Sequence, residues 1–220
     1  MTMLSIAVDE SHRVSAIWTM PAHATAAFVF AHGAGAGMNH AFMTAMAEAL
    51  VARGIAVLRY QFPYMEQGAK RPDRPALAQA TVRAAVKTAM GLAPTLPLFA
   101  GGKSFGGRMT SQAQADDPPP GVRGLVLIGF PLHPAGKPAT ERAAHLASVA
   151  VPMLFLQGTR DALADLALLT PVITNLAPRA TLRLVDGADH SFKVPARSGR
   201  TQSDVIAGLA DEIVAWTEAY

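Results

Sequence analysis

Short apolar runs alternate along the chain with longer stretches in which apolar residues return every three or four positions. Ala27 to Ala31, Ile55 to Tyr60, Leu96 to Ala100, Leu125 to Ile128, Val151 to Leu156 and Thr181 to Val185 have strand length. Continuous rather than alternating hydrophobicity predicts strands covered on both faces. Between them, Ala41 to Arg53 sets Phe42, Met46, Ala49 and Leu50 on one helical stripe and stops at Gly54. Pro75 opens a second helix, with Leu77, Thr81, Ala85 and Met90 along its face and Gly91 at its end. Further helices are expected over Phe105 to Ala115 and Ala162 to Leu176. The last begins near Thr201, where Asp204 stands at capping-box spacing, and buries Val205, Leu209, Ile213 and Trp216. Val14 to Thr19 adds a strand near the front, expected in an antiparallel hairpin with the strand that follows it. The alternation predicts an α/β fold, with a mostly parallel central sheet and helices on both faces. Ligands of such sheets bind outside the carboxyl ends of the strands. The residues just after each strand are therefore where chemistry is expected.

Composition narrows the class. The 220 residues fit one domain spanning 1–220, and the Pro-rich stretches Pro118 to Gly121 and Pro131 to Pro138 are too short to be linkers. Half the residues are hydrophobic and 16% are charged, which excludes a disordered chain. The absence of Cys excludes a disulfide scaffold, Cys-ligated metal and a Cys nucleophile. No apolar run approaches the ~20 residues of a membrane span. The N-terminal segment lacks the basic start and apolar core of a signal peptide, so a cytoplasmic protein with no membrane partner is expected. The net charge of +3 comes from scattered Arg and Lys, with no basic face for a nucleic-acid partner. Abundant Ala, with Arg favoured over Lys, points to a bacterial source.

The third parallel strand runs into Gly102-Lys103-Ser104-Phe105-Gly106, a G-x-S-x-G pattern between strand and helix. The glycines permit a sharp turn with no side chains two positions either side of the serine. The Ser104 hydroxyl then projects above the sheet at a helix N-terminus. A neutral hydroxyl needs a base. Of the seven histidines, only His145 and His190 follow Ser104 with room for an acid between, and only His190 stands just past a strand end. Asp161 is the first carboxylate after the strand Val151 to Leu156; Asp165, Asp186 and Asp189 are its rivals. A tetrahedral intermediate also needs amide donors for its oxyanion. One is expected from Phe105 and the other from the loop His32-Gly33-Ala34-Gly35-Ala36-Gly37, at Ala34 or alternatively Gly35. That loop lacks the Lys-Ser/Thr ending of a phosphate cradle and the G-x-G-x-x-G spacing of a dinucleotide site. His32 is expected to brace the loop. His32 and His40 have no third ligand close in sequence, so no metal is expected.

With these motifs the chain resembles the α/β-hydrolase superfamily over nearly its whole length. More narrowly, it resembles small predicted hydrolases near the dienelactone-hydrolase-like group, whose relatives include testis-expressed homologues and a subunit of the non-specific-lethal chromatin complex. HGAGAG at 32–37, GKSFGGR at 102–108, QGTRD at 157–161 and GADHSF at 187–192 carry the superfamily signal. RYQFPY at 59–64 and GFPLHPAGKP at 129–138 are more particular. The resemblance implies an α/β-hydrolase fold and Ser104, Asp161 and His190 as a catalytic triad; attack by Ser104 with His190 as base requires no cofactor. The resemblance implies no substrate. True dienelactone hydrolases generally use a Cys nucleophile, so that activity is not expected here.

The connection from Gly129 to Ala150 has room for one short helix and no cap domain, which predicts an open site. Arg59, Lys103, Arg108, His133 and Lys137 could cluster there and bind an anionic substrate, or could pair locally. The expected activity is hydrolysis of a small-molecule carboxylic ester or thioester through an acyl-enzyme, by a monomer or homodimer. A peptidase or amidase with the same triad and a non-catalytic scaffold are the alternatives.

Overall fold

The computed structural model describes residues 1–220. Eight strands form one sheet in the order β1-β2-β4-β3-β5-β6-β7-β8. They are β1 (Thr2–Ala7), β2 (Arg13–Thr19), β3 (Ala26–Ala31), β4 (Ile55–Tyr60), β5 (Leu98–Lys103), β6 (Val122–Ile128), β7 (Met153–Gly158) and β8 (Ala180–Val185). The helices are α1 (Ala41–Val51), α2 (Pro63–Glu66), α3 (Pro75–Leu92), α4 (Phe105–Asp116), α5 (Leu166–Asn175) and α6 (Gln202–Thr217). From β4 through β8 every pairing is parallel.

Strand β3 shows why the apolar runs are continuous. All six of its residues are buried. Ala27, Val29 and Ala31 join the core under α3, α4 and α5. Ala26, Phe28 and Phe30 join the core under α1 and α6. A strand alternates its side chains between faces, so a sheet covered twice needs apolar residues at every position. The stripe expected on α6 is buried in the second core, and its capping box forms: Asp204 N–H donates to Thr201 Oγ1 at 3.1 Å and Thr201 N–H to Asp204 Oδ2 at 2.7 Å.

The front of the chain departs from expectation. β2 does not make a hairpin with β3. It pairs antiparallel with β1 on one side and with β4 on the other. β1 carries one buried residue, Ile6, so its sequence has little apolar signal. The chain enters the sheet from its edge, and β3 is laid down inside, between β4 and β5. Helix α5 starts at Leu166 rather than Ala162, because Asp165 caps it by accepting from the Ala167 amide at 2.8 Å. The residues before it are left to form a turn around Asp161.

Between β6 and β7 the chain makes only a 3-10 turn at Glu141–Ser148, packed on α4. Its His145 Nε2 lies 2.8 Å from Ser111 Oγ, which donates to the Arg108 carbonyl. No cap covers the carboxyl ends of the strands.

Candidate active site

Ser104 follows β5 and precedes α4 in a backbone conformation of φ 50°, ψ −113°. A non-glycine residue there carries about 1–3 kcal/mol of strain. Its amide donates to Ile128 O and its carbonyl accepts from Arg108 N–H, both at 3.0 Å, which holds the strain in place. The neighbouring glycines are needed for space. A Cβ on Gly106 would fall 2.6 Å from the carbonyl oxygens of both Ala31 and His32, and one on Gly107 2.7 Å from Gly102 O. The turn is thereby pressed against the end of β3 and the loop that follows it.

Asp161 arrives from the loop after β7 and His190 from the loop after β8, two and three strands along the sheet from β5. His190 Nε2 is 2.9 Å from Ser104 Oγ, and His190 Nδ1 is 2.7 Å from Asp161 Oδ2. The Asp161 side chain is wholly buried while the His190 ring is 25% exposed, so the far end of the relay is dry and the near end is open. Burial pushes the Asp161 carboxyl up, but the His190 hydrogen bond and charge, the Leu163 amide and the Lys103 cation outweigh it. The net result is a carboxyl held below the ordinary range, ionised and able to keep Nδ1 protonated. The rivals lie elsewhere: Asp165 caps α5, Asp186 Oδ1 sits 3.3 Å from Thr159 Oγ1, and Asp189 Oδ1 accepts from the Ser191 and Lys193 amides.

Gln157 and Tyr64, whose contacts here have no sign in the sequence, steady the site. Gln157, fully buried at the end of β7, donates Nε2–H to Asp161 Oδ2 at 2.5 Å. The Leu163 amide donates to Oδ1 at 2.8 Å, so both carboxylate oxygens are fixed. In the sequence Gln157 shows only as a lone polar residue closing an apolar strand. Tyr64 on α2 accepts the Gly35 amide at 2.8 Å. That commits the Gly35 N–H and removes it as the alternative oxyanion donor. The Ala34 amide has no protein acceptor, and Ala34 and Ser104 line the same cavity of about 350 Å³.

The loop after β3 is braced as expected. His32 is buried, with Nδ1 donating to Gly33 O at 2.8 Å and Nε2 accepting the Phe62 amide at 3.1 Å. Burial lowers its pKa to about 4 despite the Gly33 bond, so it is neutral near pH 7. Phe62, Tyr64 and Phe105 pack edge to face around it.

The five candidate substrate-binding cations do not gather at one mouth. Arg59 is buried and donates to Met38 O and Thr44 Oγ1. His133 is buried between Pro134 O and the Asp165 amide. Arg108 is half-buried without a carboxylate partner, and Lys137 is exposed in the Pro-rich connection. Lys103 alone lines the cavity with Ser104. Its Nζ donates to His190 O at 2.6 Å and lies 5.4 Å from the Phe192 ring centre and 6.0 Å from that of Phe42. Gly129, at φ 64°, leaves it room: a Cβ there would stand 2.9 Å from the ammonium. No three His, Asp or Glu side chains gather as metal ligands would.

A family model described as an alpha/beta hydrolase domain matches residues 24–218. The chain belongs to that family. Solved hydrolases share its fold. An alpha-beta serine hydrolase homologue from Coxiella burnetii is 19% identical, with 97% of this chain and 96% of that one covered and a TM-score of 0.76. A serine hydrolase without a lid from Xanthomonas campestris is 22% identical, with 98% and 94% covered and a TM-score of 0.74. Dienelactone hydrolase from Anabaena variabilis is 21% identical, with 100% and 97% covered and a TM-score of 0.77. This hydrolase-family chain likewise has no lid, and none of its helices is long and apolar enough to cross a membrane.

Proposed function

We propose that the protein is a serine hydrolase of carboxylic esters or thioesters, with Ser104 as nucleophile, His190 as general base and acid, and Asp161 as the orienting carboxylate. The observation that carries this reading is the unbroken hydrogen-bonded line from Ser104 Oγ through His190 to the buried Asp161.

In this reading His190 Nε2 takes the Ser104 proton as Oγ attacks the acyl carbon. The carbonyl electrons move onto oxygen, which the Ala34 and Phe105 amides receive. Collapse of the tetrahedral adduct expels the alcohol or thiol, which takes the proton from His190. Water then gives a proton to His190 and its oxygen attacks the acyl-enzyme. Collapse releases the acid, and His190 returns the proton to Ser104 Oγ. Asp161 accepts from Nδ1–H throughout. The chain's own groups supply nucleophile, base and oxyanion donors, so the reading requires no added cofactor.

The test is hydrolysis of p-nitrophenyl esters from acetate to octanoate, beside fluorophosphonate labelling. Short esters should turn over, Ser104→Ala should lose about 10⁵–10⁶ in kcat and Asp161→Asn about 10⁴. A p-nitroanilide cleaved faster than its matching ester would move the reading to an amidase. Wild-type protein that neither turns over nor labels would overturn it in favour of a non-catalytic scaffold.

A further inference from the structure

A second cavity, of about 340 Å³, adjoins the one that holds Ser104. The two share His40, Phe42 and Ser191. The second is floored by Phe42, Ala45 and Ile206 and edged by Lys193 and Gln202, at the start of α6. No Asp or Glu lines either cavity, whereas Lys103, Lys193, His40 and His190 do. A trough with an apolar floor, a lysine on each side and no carboxylate selects for an apolar group ending in an anion.

The turn that presents His190 to Ser104 also fixes Lys193. Asp189 Oδ1 accepts the Ser191 and Lys193 amides at 2.8 and 2.9 Å, and Lys193 O accepts the Asp189 amide at 2.9 Å. The Lys193 ammonium makes no ion pair within the chain. Phe192 between them is buried, its ring stacked on Phe42 at 5.9 Å. The main chain under Lys193 is therefore as well anchored as that under His190.

Direction follows from proton transfer. His190 hands its proton to the departing oxygen or sulfur, so the leaving group lies on the His190–Ser191 side of Ser104. Ser191, the residue after His190, lines both cavities, which puts the second on that side. Resting on the hydrolase reading above, we infer that the leaving group of the substrate is an alcohol or thiol carrying a terminal anion, a carboxylate or a phosphate, seated over Phe42 between His40 and Lys193. Arg59, Arg108, His133 and Lys137 line neither cavity.

Acetyl thioesters of ω-mercapto carboxylic acids of increasing length, each beside its uncharged amide, test this. Thiol release is read without background, because the protein contains no Cys. At one length the acid should be preferred over its amide in kcat/KM by about two- to fivefold, the range of an ion pair to the exposed Lys193. That preference should shrink in high salt. Lys193→Met should abolish the preference and Lys193→Glu should invert it. A preference that never appears, or that survives Lys193→Glu, overturns the proposal.

Binding separates this outcome from failure of the hydrolase reading. Ser104→Ala protein is titrated with the intact acid and amide thioesters and followed by saturation-transfer NMR. Tighter, Lys193-dependent binding of the acid upholds the subsite even if the wild type is inert. Equal binding of acid and amide overturns it even if neutral esters are hydrolysed.

Discussion

Lys103 should work against stability and for activity, and Lys103→Met separates the two. Burial lowers its pKa from 10.5 to about 8, outweighing the attraction of Asp161 and Asp189. The folded state therefore disfavours the ammonium by about 3 kcal/mol at pH 7. The sign follows from proton binding. The unfolded chain holds this proton more tightly, so stability rises with pH from about 8 toward 10.5. By pH 9.5 about 2 kcal/mol of the penalty is relieved. Methionine removes the penalty but leaves the His190 carbonyl without its donor, which costs about 1–3 kcal/mol. Urea unfolding at pH 7 should find Lys103→Met as stable as wild type, or up to about 2 kcal/mol more so. At pH 9.5 the wild type should have gained about 2 kcal/mol on the variant. Turnover should move the other way, falling about tenfold, because the main chain of His190 loses its tether; that factor corresponds to about 1.4 kcal/mol. A stability difference that stays flat from pH 7 to 9.5 would refute a buried cation. An unchanged kcat would refute the tether.

Gln157→Leu removes a charged hydrogen bond worth about 1.5–3 kcal/mol, but it also removes Oε1, a buried acceptor without a partner. Its melting temperature should shift little while kcat falls about tenfold, and an equal loss of both would make Gln157 a structural residue only. Gly102→Ala should give no soluble protein, since its Cβ would collide with the Ala31 carbonyl. Gly208→Ala on α6 meets open space and should add about 0.5–1 kcal/mol. Burial lowers His32 to about 4, so the native state refuses a proton that the unfolded chain accepts below pH 6.5. Denaturant midpoints should fall progressively from pH 6.5 to 4, and a midpoint constant over that range would mean that His32 takes up its proton in the folded state.

The strands of the parallel sheet were legible because both of their faces are buried, which leaves an unbroken apolar signature. β1 and the hairpin were not, since an edge strand with only Ile6 buried has no such mark, and pairing partners far apart in sequence leave no local trace. The meeting of Ser104, Asp161 and His190 was legible from their places after strands. Gln157 and Tyr64 were not, because each acts on a residue that only the fold brings near. The choice between a cation cluster and local pairing stayed open for the same reason. Arg59 and His133 are charged or polar letters in the sequence, but the fold uses their donors and acceptors on main-chain groups.

The bare 3-10 turn between β6 and β7 has a kinetic meaning. An enzyme with a lid waits for it to open and close, and that motion often limits turnover. If Ser104 is the nucleophile as proposed, substrate, water and product would reach it without waiting for such a motion. Progress curves should start without a lag, and adding lipid vesicles should leave the initial rate unchanged. In the proposed mechanism the open mouth would also give the acyl-enzyme immediate access to bulk water, so hydrolysis would need no lid movement to admit the second nucleophile.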